Sequence, residues 1–508
     1  MKIKATIFTM AAALANSVLV TLFNLIYSNY LLQIYGSEIN GLISTLSQFV
    51  SLFLIIEGGF MTAAVVATYK PIVDKDYEKL NNILYTCKRI YLKIGFAITA
   101  FSLAGGAVYI KFIDSPFSYW ETFSLLLVSA ITTASSLGIL SKYNVLLQGE
   151  NKEFVLTIFS LVSKTVTWAL SMVLILNSVS IIWVYSMNIL NVVINIILAR
   201  RYEKKNYPFV NYDQGEYESG IISGTKDVMY QKVANTVFTS TDLIVTSVFI
   251  SLSAASVYNL YYQIFKSIFT LLASVVQAPF NSFGQLVNSE NSERELNNYF
   301  EIYQHFVLLI STILMAMTAQ LLIPFVEVYT INIKDYTYIY PVLAILFYSQ
   351  MFAQINNRPY GTILNVTGNF KMQNIQCAVA AVVNIIVSIA FIRWIGIHSF
   401  VLGSLVGTLI IFVMNMYQMH KNVLKGNWKK ESVNIVSNYL LGVIAVVIFY
   451  NIDFKISNYL QWVVLACATS VFMGIVFLAA NYMVDGQRTQ KVVAYMYQSM
   501  IKMLKKRL

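Results

Sequence analysis

Charge is what this chain has least of. Only 12% of its 508 residues are Asp, Glu, Lys or Arg, about half the roughly 25% typical of a soluble domain. Cysteine and histidine are equally sparse, at three each. Cys87, Cys377 and Cys467 are scattered, which excludes a disulfide framework and, with the dispersed histidines, a metal cluster. No phosphate-binding glycine loop is present, so any transport would not run on the chain's own ATP hydrolysis. Nucleophile elbows and paired His/Cys ligands are missing too. No enzyme activity and no cofactor are expected, beyond H⁺ or Na⁺ as a coupling ion.

Apolar length fills the space that charge leaves. Hydrophobic residues make up 57% of the chain and the mean hydropathy is +0.64. Apolar stretches of about 20 residues recur from end to end, enough to cross a bilayer. Backbone polar groups in hydrocarbon must pair internally, and these runs are too long and uniform for barrel strands, so they are helices. The expected fold is an all-α polytopic membrane protein with about fourteen transmembrane helices. The expected spans are 7–34, 40–69, 89–113, 121–147, 154–176, 179–200, 228–250, 254–284, 300–330, 338–367, 373–395, 398–419, 434–452 and 457–484. The first is too long for a signal peptide and has no small-residue cleavage site, so it stays as a span.

Lys and Arg give the orientation. Lys70, Lys75, Lys79, Lys88, Arg89, Lys152, Arg200, Arg201, Lys204, Lys205, Lys421, Lys425 and the C-terminal basic residues all fall on one side. The other side keeps only Lys111, Lys334, Arg393 and Lys455. Both termini are therefore expected in the cytoplasm. The net charge of +11 is topological, with attraction to anionic lipid heads, and calls for no nucleic-acid partner.

The chain also repeats itself. Ser17, Thr21, Asn24 and Ser28 fall at i, i+4, i+7 and i+11; Asn235, Thr239, Asp242 and Thr246 have the same spacing 218 positions on. That spacing draws a polar line down one helix face. Leu80-Asn81-Asn82 returns as Leu296-Asn297-Asn298, and Asn40-Gly41-Leu42 as Tyr258-Asn259-Leu260. Gly149-Glu150-Asn151-Lys152 returns as Gly368-Asn369-Phe370-Lys371. Agreement of the offsets to within 216–219 positions points to duplication of spans 1–6 in spans 7–12. Six spans is an even number, so the two bundles would be related by a pseudo-twofold axis along the membrane normal. The expected domains are 1–205 and 228–420, joined by a linker at 206–227. An extra helix pair at 421–486 and a basic tail at 487–508 follow.

Ionisable residues at membrane depth are costly and mark candidate sites. Asp242 in span 7 and Glu57 in span 2, before Gly58-Gly59, are the candidate ion-coupling carboxylates. Glu57 suits a helix bend or close packing as well as coupling. Lys142, Lys164, Lys266 and Arg358 lie within spans 4, 5, 8 and 10. Buried acids are too few to neutralise them, and a phosphate-bearing substrate would supply the missing anion. Asn24, Asn188, Asn191, Asn195, Gln350, Gln354 and Asn357 are candidate sugar contacts, with interhelical hydrogen bonding as the plainer role for each. Pro279, Pro324, Pro341 and Pro359 mark bends or ends of spans in the second half.

Tyr35-Gly36-Ser37-Glu38-Ile39-Asn40-Gly41-Leu42, then Glu57-Gly58-Gly59-Phe60-Met61-Thr62-Ala63-Ala64 and the basic loop Lys70 to Arg89, resembles the start of bacterial Wzx-type polysaccharide flippases. These belong to the multidrug/oligosaccharidyl-lipid/polysaccharide exporter superfamily. Asp242 and Tyr258-Asn259-Leu260-Tyr261 also look family-like. The resemblance implies a V-shaped pair of six-helix bundles alternating between inward- and outward-facing states, driven by an ion gradient. It implies an undecaprenyl-diphosphate-linked oligosaccharide as substrate, moved from inner to outer leaflet of the bacterial cytoplasmic membrane. A polysaccharide polymerase and glycosyltransferases are the implied partners. A MurJ-type lipid II flippase and a multidrug/cation antiporter are the alternatives. A membrane-embedded polymerase or ligase would need a large outer loop, and the outer loops here are short.

Overall fold

In the computed structural model the backbone is described for residues 2–218, 220, 236, 240–277, 279–287, 292–368, 370–424, 428–452 and 454–505. Side chains are described from residue 18 to residue 494, except at 219, 221–235, 237–239, 278, 281–282, 285, 288–294, 369–371, 425–427, 430 and 453. Every regular element among these residues is helical. The helices are α1 (Lys2–Tyr35), α2 (Ser37–Leu52), α3 (Phe60–Asp74), α4 (Tyr77–Tyr109), α5 (Tyr119–Ser135), α6 (Ser141–Gly149), α7 (Glu153–Leu176) and α8 (Ile181–Asn206). There follow α9 (Ser240–Phe249), α10 (Leu252–Gln277), α11 (Phe280–Val287), α12 (Ser292–Tyr329), α13 (Pro341–Val366), α14 (Phe370–Ile395), α15 (His398–Asn422), α16 (Trp428–Tyr450) and α17 (Tyr459–Lys505).

Eleven helical stretches among the described residues are long and apolar enough to cross a membrane, so the chain is a multi-pass membrane protein. The α10 and α13 helices have the length but not the hydropathy to be counted with them, and these two carry Lys266 and Arg358. The short apolar α9 lies in the expected span 7, whose earlier residues fall outside the described set. The low hydropathy of α10 and α13 and the described extent of the expected span 7 separate the eleven from the fourteen expected spans.

The chain forms two compact units, Met1–Asn259 and Leu260–Leu508. In the first, the expected span 2 is broken. A 3₁₀ turn at Phe53–Glu57 leads into Gly58 and Gly59, at φ 58° and 79°, before α3 starts. Left-handed backbone at two successive positions suits only glycine without strain. The Glu57 carboxylate then accepts from the Met61 N–H at 2.7 Å and the Gly59 N–H at 3.4 Å. It caps the new helix, satisfying donors that hydrocarbon would leave unpaired. Span 4 is interrupted as well, by a π turn at Ser136–Leu140 between α5 and α6. There Gly138 lies against Gly95 of α4, and a Cβ on Gly95 would stand 2.9 Å from the Ala134 carbonyl.

Two stretches expected as loop or tail are helical. The α4 helix starts at Tyr77 and not near 89, because Asp76 caps it by accepting from the Lys79 N–H at 3.0 Å. The α17 helix runs on past 484 to Lys505, bent at Asp485 (φ −147°, ψ 71°). Pro341 sits in the first turn of α13, where its missing N–H costs nothing, whereas Pro324 and Pro359 lie inside helices.

In the second unit the extra pair α16 and α17 is keyed in by buried amides. Asn438 and Asn481 exchange hydrogen bonds at 2.9 and 2.7 Å. Asn434 donates to Asp485 at 3.3 Å, and Arg488 pairs with Glu301 of α12 at 3.1 Å. His420 and Glu431 meet at 2.7 Å where α15 turns into α16.

Candidate functional site

Two of the four intramembrane cations come together. The Lys266 Nζ on α10 and the Arg358 Cζ on α13 lie 5.2 and 5.0 Å from the centroid of the Phe269 ring. Lys266 also lies 5.9 Å from the centre of Tyr262. Tyr262, Lys266 and Phe269 fall at i, i+4 and i+7 and so share one face of α10. Neither cation has a carboxylate within ion-pair distance among the described residues. Aromatic faces offset part of the desolvation of a buried cation, but they do not neutralise it. Two like charges therefore share the face of one ring.

The polar stripe of α13 lies beside Arg358. Gln350 is buried with its Oε1 lacking a protein partner, and Gln354 is half-buried. Asn357 accepts from Asn415 Nδ2 at 2.9 Å, so it serves at least in part to join α13 to α15. Tyr303 of α12 donates to the Val276 carbonyl at 2.6 Å close to this cluster.

The other two cations lie in the first unit and have different company. Lys164 of α7 is half-buried, with no acidic partner among the described residues. Next to it Ser163 accepts from Asn195 Nδ2 of α8 at 2.9 Å. Asn191 is half-buried with its Oδ1 unpartnered, whereas Asn188 is exposed and donates to its own helix at the Tyr185 carbonyl. Asn24 is exposed on α1. Lys142 of α6 sits 4.9 Å from the Tyr143 ring centroid and 4.5 Å from that of Tyr212, with Lys88, Arg200, Glu203 and Asp213 as charged neighbours. It belongs to the end of the bundle and to the segment after α8.

Asp242 is buried on α9 and accepts from the Tyr258 hydroxyl at 2.8 Å. Its stripe partners Asn235 and Thr239 fall outside the described residues, as does the Ser17 side chain. Thr246 donates to the Asp242 carbonyl within the same helix, and Ser28 reaches Asn40 at 3.3 Å. The twin motifs of the repeat touch. Asn40 donates to Ser256 at 2.6 Å and Asn259 to Ser44 at 2.9 Å, while Gly41 lies flat on Leu252. Phe269, Tyr262 and Tyr258 were not singled out by sequence as site residues, although the i, i+4, i+7 spacing on α10 carried the signal.

Comparison with solved structures gives the fold. The chain is similar to an inward-facing multidrug resistance MATE family transporter of the MOP superfamily, with a TM-score of 0.63 at 14% identity. The match covers 79% of this chain and 94% of that one. It is also similar to the lipid II flippase MurJ in an inward closed conformation, with a TM-score of 0.64 at 14% identity, covering 94% and 99%. A MATE crystal structure in a bent conformation aligns with a TM-score of 0.53 at 13% identity, covering 85% and 97%. The chain therefore has the fold of the MATE and MurJ transporters. No protein-family profile matches it, and no curated protein matches its sequence.

Proposed function

We propose that the protein is a flippase that carries undecaprenyl-diphosphate-linked oligosaccharide from the inner to the outer leaflet of the bacterial cytoplasmic membrane. The observation that carries this reading is the Lys266–Arg358 pair on Phe269, two cations with no acid in ion-pair range among the described residues. A diphosphate supplies the missing charge, with Arg358 offering a bidentate fork and Lys266 a mobile point charge. Gln354 and Gln350, one and two turns from Arg358, would take sugar hydroxyls. Lys164 with Asn191 and Asn195 would line the corresponding polar face of the first unit.

Asp242 is the residue we assign to ion coupling. It is a buried carboxylate in a polar setting of Tyr258 and neighbouring hydroxyls, able to take up H⁺ or Na⁺. Glu57 is engaged in capping α3, which favours a structural role for it. Alternating access, cytoplasmic termini and service to a polysaccharide polymerase belong to the same reading. The extra helices α16 and α17 and the cation pair speak against a drug antiporter, and the absence of an enzyme motif against a polymerase.

A MurJ-type lipid II flippase is the second reading, favoured by the near-complete mutual coverage with that structure. Reconstituted protein offered lipid-linked oligosaccharide or lipid II, each alone, separates the two. Faster translocation of the oligosaccharide carrier supports the first reading, and transport of lipid II alone overturns it. Arg358→Ala should abolish translocation of either.

A further inference from the structure

Residues 207–218, after α8, do not hang free. Asn81 donates to the Phe209 carbonyl at 3.0 Å and accepts from the Asn211 N–H at 2.9 Å. Asn82 accepts from the Glu216 N–H at 2.8 Å, and Thr86 from the Glu218 N–H at 2.9 Å. Phe209 packs on Tyr77, with ring centroids 4.2 Å apart. Gly215 fits against Asn82 and Tyr85 so closely that a Cβ would stand 3.0 Å from the amide oxygen. Tyr207 and Tyr212 are buried, and Lys152 donates to the Tyr207 hydroxyl at 2.8 Å. The Leu80-Asn81-Asn82 motif is thus the clamp of a strap laid across the first turns of α4.

One side chain of the strap is placed differently. Asp213 pairs with Lys88 of α4 while its own side chain stays 78% exposed. Close by, the Lys142 ammonium rests between the faces of Tyr143 and Tyr212, with no carboxylate in ion-pair range among the described residues. Arg200 and Glu203 are further charged neighbours of Lys142. An exposed ion pair of this kind contributes little net stability, so the carboxylate exchanges readily. The amide clamp holds the strap backbone independently, so Asp213 can swing away without the strap leaving.

We infer that Lys88 and Lys142 form a phosphate-binding site on the first unit, in which the Asp213 carboxylate stands in for the ligand until a phosphate-bearing group displaces it. The ligand is a phosphate or diphosphate ester, from a lipid head group or from a soluble compound. By the charge pattern the site lies on the cytoplasmic side, where either source is available. It is distinct from the Lys266–Arg358 pair, which belongs to the other unit.

The test is pyrophosphate binding to the full-length protein in phosphatidylcholine nanodiscs, followed by calorimetry. Asp213→Asn should tighten binding by about tenfold, equivalent to ~1.4 kcal/mol. Adding Lys88→Gln and Lys142→Gln to that variant should remove this binding, while Arg358→Ala should leave the gain from Asp213→Asn intact even though transport is lost. Phosphatidylglycerol in the nanodisc that competes with pyrophosphate supports a lipid head group as the natural ligand; lack of competition supports a soluble phosphate ester. Unchanged affinity in Asp213→Asn, or full binding by the double lysine variant in the same background, overturns the proposal. Elution as a single species on size exclusion shows that each variant is folded.

Discussion

Lys266 and Arg358 are desolvated with no acid in ion-pair range among the described residues, and that cost has a measurable sign. An unpaired buried cation destabilises the empty protein, so replacing it with an apolar side chain of similar length should stabilise. Lys266→Met should raise the unfolding midpoint of the detergent-solubilised protein, by the equivalent of about 1 kcal/mol, while reducing transport at least about tenfold. A fall in both would show Lys266 to be a packing residue. The strap offers a second residue-scale test. The Lys88 hydrogen bond and charge hold the Asp213 carboxyl below its ordinary range. A depressed folded-state value means the contact contributes above the unfolded value and is lost as pH falls through the folded one. The melting point should therefore fall slightly on acidification through the carboxylate range, while the amide clamp keeps residues 207–218 protected from protease. Asp213→Asn should remove its share of that fall, and an unchanged profile in the variant would contradict the assignment.

Among elements, the breaks matter more than the runs. The sequence made the helices plain because apolar length at about 20 residues has few other uses. It also marked Glu57-Gly58-Gly59 as a place for a bend, since paired glycines tolerate the left-handed backbone found there. What it did not reveal is the job of Glu57. Capping by a carboxylate three residues before its helix depends on a turn whose geometry no periodicity encodes. The π turn in span 4 was equally hidden, and so was the helical start of α4, which was masked by the charge of the 70–89 stretch. Gly41 is the sharpest element-scale prediction. A Cβ there would stand 1.8 Å from the Leu252 carbonyl oxygen, a backbone atom that has no rotamer to change. Gly41→Ala should destabilise by about 1–3 kcal/mol or more, measured as a lowered melting point, whereas Gly474→Ala, which meets open space, should stay near wild type. The Asn438–Asn481 exchange predicts a smaller effect. Interhelical bonds of this sort average about 0.6 kcal/mol each, so Asn438→Leu should lower the melting point modestly and loosen α17, seen as faster proteolysis of the C-terminal helix.

For the molecule as a whole, orientation and function rest on different kinds of information. Composition was enough for the class, and the all-helical structure with the MATE and MurJ fold agrees with it. The site was only half legible. The cations could be picked out by their cost, but which of them meet depends on tertiary packing. Lys266 and Arg358, 92 positions apart, share a ring; Lys142, just as costly on paper, turns out to lie under the strap. The central claim is that this cation pair moves a diphosphate-linked glycan between leaflets. The direct measurement is leaflet-resolved accumulation of lipid-linked oligosaccharide in a depletion strain complemented at equal protein level. On depletion the carrier should build up in the inner leaflet, wild type should clear it, and Arg358→Ala should not. Outer-leaflet delivery that continues on depletion, or that Arg358→Ala fully restores, would contradict the account.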